Sequence, residues 1–139
     1  MRTVATAVVD APVSRVWDAV ADHEGMSSWG PIKVTLDKVG SPDRNGVGAV
    51  RRIVAKGPAP TIVEEITAFE PQQRMGYKAL SGVPFRNYGG EITLTATERG
   101  TRIDWALSID ERVPVVEKAA VSVVAKALLN RLVAAVKRG

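Results

Sequence analysis

Two charged doublets, Arg51-Arg52 and Glu64-Glu65, flank the segment Gly57-Pro58-Ala59-Pro60. That segment separates two runs rich in β-branched residues, Ala49 to Lys56 and Thr61 to Phe69, as a hairpin turn does. Pairing the runs about Pro58 sets Val50 against Ile66, Arg52 against Glu64 and Val54 against Ile62. Side chains alternate along a strand, so these pairs share one face. That face is apolar apart from Arg52 and Glu64. If it is buried, the two form an ion pair in an apolar wall, each supplying the partner the other needs. Such a pair can orient the polar end of a greasy molecule or serve as an acid-base couple. On the outer face it is a surface salt bridge of little worth. The opposite face pairs Arg51 with Glu65 and Ile53 with Val63, and a one-residue slip exchanges the two faces.

The same alternation groups Met75, Tyr77 and Ala79 on one face. It also groups Tyr88, Gly90, Ile92, Leu94 and Ala96, and Ile103, Trp105, Leu107 and Ile109. Tyr77, Tyr88 and Trp105 combine an apolar body with a polar tip, which suits a pocket for an amphipathic molecule and equally suits an ordinary core. Leu94 is a further lining candidate. Trp17 reads as core on a first helix. Gly89-Gly90 inside a strand pattern points to a bulge or to the close approach of a ligand.

The single histidine, His23, lies between Asp22 and Glu24 and reads as a solvent-facing residue near a helix cap. No nucleophile elbow accompanies it, and one histidine with scattered carboxylates is a poor metal site. The glycines follow neither phosphate-binding order. No metal and no cofactor are expected, and no catalytic residue can be named.

The elements that must hold these residues read as β-α-α-β-β-β-β-β-β-α. Thr3 to Val9 alternates as a strand. Asp10 and Pro12 suit the cap and first turn of a helix carrying Val13, Val16, Trp17 and Val20 on one face. A second short helix capped by Asp22 ends near Trp29-Gly30-Pro31. Strands follow over Ile32 to Val39, the two runs above, Arg74 to Leu80, Tyr88 to Thr97 and Thr101 to Asp110. Short connections between successive strands imply an antiparallel sheet.

The last element, Val113 to Arg138, reads as one long helix. Lys118, Ser122, Lys126, Asn130 and Lys137 form a wet stripe. The opposite stripe is Val113, Val116, Ala120, Val123, Val124, Ala127, Arg131 and Ala134, expected to be buried. Such a face normally presents large residues to a sheet. Small ones, with an arginine among them, suggest a hollow of roughly 300 Å³ or more between sheet and helix. Ala120, Val124, Ala127 and Arg131 are its candidate lining on the helix.

Val8-Val-Asp-Ala-Pro-Val-Ser-Arg-Val-Trp17-Asp-Ala-Val20, followed by Trp29-Gly-Pro31, resembles the opening of the START-like (Bet v 1-like) superfamily. More narrowly it resembles the polyketide cyclase/dehydrase and lipid-transport group. Ile66 to Tyr77 and Ile92 to Trp105 resemble its middle and late strands. The resemblance spans essentially the whole chain. It implies an α+β helix-grip fold: a curved seven-stranded antiparallel sheet around the C-terminal helix, with an apolar cavity between them. It also makes Trp29 a candidate residue near the cavity end.

At 139 residues the chain reads as one domain. It has no cysteine, which excludes disulfides and thiolate chemistry. The net charge of +4 is scattered along the chain rather than gathered, so no nucleic-acid partner is expected. Met1-Arg2-Thr3 runs straight into the first strand pattern, so no leader peptide is expected. Charged residues interrupt the long helix, so no membrane span is expected either. The combined expectation is a cytoplasmic protein that binds a lipid, polyketide, isoprenoid or steroid-like molecule as carrier or sensor. An enzyme of the polyketide cyclase or aromatase type is the alternative, and a module that contacts proteins or the ribosome is a second. Oligomeric state stays open.

Overall fold

The structure, a computed structural model, describes residues 1–138. Seven strands form one antiparallel sheet in the order β1-β7-β6-β5-β4-β3-β2. They are β1 (Arg2–Val9), β2 (Ile32–Lys38), β3 (Val50–Ala55), β4 (Ile62–Glu70), β5 (Arg74–Ser81), β6 (Arg86–Thr97) and β7 (Gly100–Asp110). Helix α1 (Val13–Ala21) and a short 3₁₀ helix (Glu24–Ser28) link β1 to β2, and helix α2 (Pro114–Arg138) closes the chain. This is the expected helix-grip arrangement. The expected second short helix is the 3₁₀ segment, and Asp22 Oδ1 does accept the Gly25 N–H at its start, at 3.1 Å. Asp10 does not cap α1. The helix begins after Pro12, whose carbonyl accepts the N–H groups of Arg15 and Val16.

β2 to β7 form a meander in which each strand pairs with its sequence neighbour. β1 instead lies antiparallel to β7, with Arg2 opposite Ser108 and Val9 opposite Thr101. One face of the sheet carries Ile66, Met75, Ile92, Ile103, Trp105 and Leu107, all essentially inaccessible to solvent. The side-chain phases read from β4, β5, β6 and β7 hold.

The phase of β3 does not. Val50 pairs with Glu65, Arg51 with Glu64, Arg52 with Val63 and Ile53 with Ile62. The register is one residue away from the expected one, so Arg51 and Ile53 face inward while Arg52 and Val54 face outward. Both phases of Val50-Arg-Arg-Ile-Val54 mix apolar and basic residues, and both doublets offer a charge on either face. Hydrophobic pattern therefore could not set this register.

The helix stripe is also corrected. The face of α2 that packs down consists of Glu117, Val121, Ala125, Leu129, Leu132 and Val136, and the helix meets β1, β7 and α1. Val113 and Val116 are exposed and Ala120 is half-buried. Valine and alanine are spread around α2, so apolar spacing alone does not single out one face. By length and composition α2 is long and apolar enough to cross a bilayer; here its Val121-to-Val136 stripe is buried in the core.

Candidate functional site

Beside the packed stripe of α2, a second stripe of Val123, Val124, Ala127, Leu128 and Arg131 overlooks a cavity of about 620 Å³. The sheet side is built from Arg51, Ile53, Ile62, Glu64, Tyr77, Tyr88 and Trp105. Met26, Trp29 and the Gly30-Pro31-Ile32 segment also line it, as does the β5–β6 loop with Val83, Pro84 and Phe85, and the exposure of Val123, Ala127 and Pro84 leaves it open to solvent. The volume falls within the range that holds a drug-sized molecule.

Three aromatic residues shape the inner wall. Tyr77 lies opposite Gly90, and Ile92 opposite Trp105. A Cβ at position 90 would come within 2.2 Å of the Tyr77 ring, so only glycine leaves room for it. The close approach suggested by Gly89-Gly90 is thus made by Tyr77, and a register shift between Arg86 and Gly89 marks the irregular pairing there. Trp105 Nε1 donates to the Tyr77 hydroxyl at 3.1 Å, and Trp29 meets Trp105 edge to face, with ring centroids 6.3 Å apart. Tyr88 stands 6.3 Å from Tyr77 and stacks on Phe85. Burial pushes the Tyr88 hydroxyl up to about 12 and that of Tyr77 well above its ordinary value. Both stay protonated at neutral pH.

A buried polar chain crosses the wall. Arg51 and Glu64 are 2% and 5% exposed. Arg51 Nε donates to Glu64 Oε1 at 2.9 Å, and its Nη2 lies 2.8 Å from the same oxygen. Its Nη1 reaches His23 Nδ1 at 3.2 Å and Met26 Sδ at 3.3 Å. The guanidinium carbon sits 4.9 Å from the centre of the Tyr77 ring, a cation–π contact. Arginine only donates, so His23 Nδ1 must be the acceptor. The ring proton is then on Nε2, which donates to the Asn45 carbonyl at 2.8 Å. His23 is fully buried, not solvent-facing. Burial first, and the Arg51 charge second, lower its pKa to about 4. The clue in the sequence is spacing: His23 extends the Val16, Val20 stripe of α1, and Met26 follows three residues later.

Of the expected site residues, Trp29, Glu64, Tyr77, Tyr88, Trp105, Val124, Ala127 and Arg131 reach the cavity wall. Arg52 does not. It is exposed and pairs with Asp37 on β2, Nη2 to Oδ2 at 2.7 Å, while Arg51 takes the inner place. Leu94 is buried in the core, outside the lining, and Ala120 lies on α2 away from it. The reading from the sequence missed His23, Arg51, Met26 and the Val83-Pro84-Phe85 loop. Arg131 borders the cavity with its guanidinium turned to the 3₁₀ segment, donating to the Trp29 carbonyl at 2.8 Å, and Arg138 donates to the Ser28 carbonyl at 3.1 Å. Among the described residues, no group of three or more His, Asp or Glu side chains is gathered as a metal site.

Comparison with solved structures gives the same architecture. A START superfamily protein from Mycobacterium smegmatis matches with a TM-score of 0.79 at 16% identity, over 99% of this chain and 97% of that one. The Zhui aromatase/cyclase from a Streptomyces species matches with a TM-score of 0.78 at 20% identity, over 99% and 94%. Ara h 8.0201 matches with a TM-score of 0.79 at 14% identity, over 100% and 99%. At these identities the likeness is one of fold. No curated protein matches. The family model described as polyketide cyclase / dehydrase and lipid transport matches residues 1–138, and the chain belongs to that family, within the START-like (Bet v 1-like) superfamily.

Proposed function

We propose that the chain is one ligand-binding domain that takes up a hydrophobic small molecule between its sheet and α2, as carrier or sensor. Lipid, polyketide, isoprenoid and steroid-like molecules all fit the size. The observation that carries this reading is a cavity of about 620 Å³ walled by aromatic and aliphatic side chains with one buried ion pair in it. Apolar burial supplies affinity, on the order of 25 cal/mol per Å², before the costs of ordering. The packing of α2 against β1, β7 and α1 supports a globular role for that helix rather than a span. The absence of cysteine suits a reducing compartment, and we place the protein in the cytoplasm.

A cyclase or aromatase activity is the second reading. It draws on the presence of Arg51, Glu64, Tyr77 and Tyr88 in one wall, where an acid-base couple could act on a folded chain. A role as an interaction module draws on the exposed start of α2, where Val115 is 83% and Val116 65% exposed.

Native mass spectrometry of the protein purified from its own host tests the first reading. A carried molecule of small-molecule mass, released on denaturation, is expected. Protein that carries nothing, and that also fails to bind a neutral apolar dye, overturns it.

A further inference from the structure

The polar end of the cavity has a definite hydrogen-bonding character. Glu64 spends Oε1 on Arg51 twice over. Its Oε2 takes no hydrogen bond from any described residue, yet no buried side-chain oxygen is left orphaned. That oxygen therefore opens into the cavity that Glu64 lines. It is a carboxylate oxygen in a side chain more than nine-tenths buried, and it can only accept. Arg51, by contrast, is engaged: its Nε, Nη1 and Nη2 all turn to Glu64 Oε1, His23 Nδ1 and Met26 Sδ. The forked geometry that would clamp a ligand carboxylate is taken up by the wall. Tyr88 lines the same cavity, near enough for the Glu64 charge to act on its hydroxyl, and with that hydroxyl pushed up to about 12, first by burial, it keeps a proton to donate.

We propose that this end is a subsite for a neutral hydroxyl group, whether alcohol, phenol or enol, on an otherwise apolar ligand. The ligand O–H donates to Glu64 Oε2, and its oxygen accepts from the Tyr88 hydroxyl. A hydroxyl is the small neutral group that can do both. An ionised carboxylate has no proton for Oε2 and brings a second negative charge against it, so free acids are rejected. The inference rests on the cavity-binding reading and adds the class of ligand.

The test is displacement of the neutral dye N-phenyl-1-naphthylamine by four matched compounds at pH 7.5: 2-naphthol, 2-methoxynaphthalene, 2-methylnaphthalene and 2-naphthoate. Expected is 2-naphthol binding about tenfold more tightly than the methyl and methoxy compounds, with the carboxylate weakest. The Arg51→Met/Glu64→Leu double variant removes both charges at similar volume, and Tyr88→Phe removes only a hydroxyl. Both should still take up 2-methylnaphthalene, and the readout is the ratio of naphthol to methylnaphthalene affinity, lost in the double variant and reduced in Tyr88→Phe. Naphthoate binding as tightly as naphthol overturns the inference, and so does a preference that survives both variants. Binding of the dye and of 2-methylnaphthalene without any gain for naphthol overturns it while leaving the carrier reading intact. Failure of the dye and all four compounds to bind overturns both.

Discussion

Arg51 donates one N–H to Nδ1 of His23 at 3.2 Å, and that contact makes the histidine a neutral strut between the cavity wall and the Asn45 carbonyl. Protonating His23 would set a second donor against the guanidinium in a place that water does not reach. The folded pKa is lowered from 6.5 to about 4, so the unfolded chain binds the proton more readily between those values. The stabilisation is complete above pH 6.5 and is lost as pH falls toward 4. Its size is about 3 kcal/mol. Urea unfolding at pH 7.5, 5.5 and 4.5 should show this loss. His23→Asn, whose side-chain oxygen can still accept from Arg51, should show a shallower one. Equal pH slopes in the two proteins would rule His23 out as the source.

The two neighbouring arginines should behave oppositely. Arg51→Ala leaves Glu64 without a partner in the wall and is expected to cost about 3–5 kcal/mol, much of it recovered in Arg51→Met/Glu64→Leu. Arg52→Ala removes half of an exposed pair with Asp37 and should change stability by about 0.5 kcal/mol or less. Urea midpoints of the three variants check the assignment, and a large loss at Arg52 would reverse it.

Gly90→Ala would drive a methyl group into the Tyr77 ring, whose atoms are flanked by Trp105 and Arg51. The expected cost is about 1–3 kcal/mol of overpacking, with a change in near-ultraviolet circular dichroism as the Tyr77–Trp105 hydrogen bond is displaced. Gly89→Ala meets only the Tyr77 carbonyl, at 3.1 Å, and should be milder. A near-ultraviolet spectrum of Gly90→Ala identical to that of the parent would show that Tyr77 does not depend on the missing Cβ.

Ala127→Phe should fill part of the cavity from α2 and abolish uptake of the neutral dye with little change in thermal midpoint, because position 127 borders open space. Ala120→Phe lies outside the lining and should leave dye uptake unchanged. Dye fluorescence beside a thermal melt separates the two; undiminished dye uptake in Ala127→Phe would remove α2 from the binding wall, and equal loss in both would overturn the distinction between the two positions.

The sheet was legible because strands β5 to β7 alternate cleanly, Ile92 and Trp105 inward with Thr93 and Asp104 outward, whereas β4 shifts register between Ile66 and Ala68. That alternation grouped Tyr77, Tyr88 and Trp105 with their apolar neighbours as candidates for the inner wall, whereas the Glu64-Glu65 doublet offered an acid to either face and left the choice open. β3 resisted because Arg51 and Arg52 each have an acid available, Glu64 within and Asp37 without, so a slip of one residue breaks no charge pairing. α2 resisted for a related reason: valine and alanine surround it, and the stripe bordering the cavity differs from the packed stripe only in what lies opposite. The burial of His23 could be read from its spacing after Val16 and Val20, but its partners Arg51 and Asn45, like the place of the Val83-Pro84-Phe85 loop, depend on contacts between segments remote in sequence, which local periodicity does not encode.

The pairing of β1 with β7 has a kinetic consequence. β2 through β7 can zip up as successive hairpins, each closing a short loop. β1 is made first, yet its partner spans Gly100–Asp110, so it must wait for nearly the whole chain. Closing so large a loop slows folding relative to the local meander. Until β1 arrives, β7 presents an open edge whose inner residues Ile103, Trp105 and Leu107 are among the most apolar in the protein. That transient edge is the place where two folding chains would pair with each other, so high concentration during refolding should favour aggregates whose contact begins at β7.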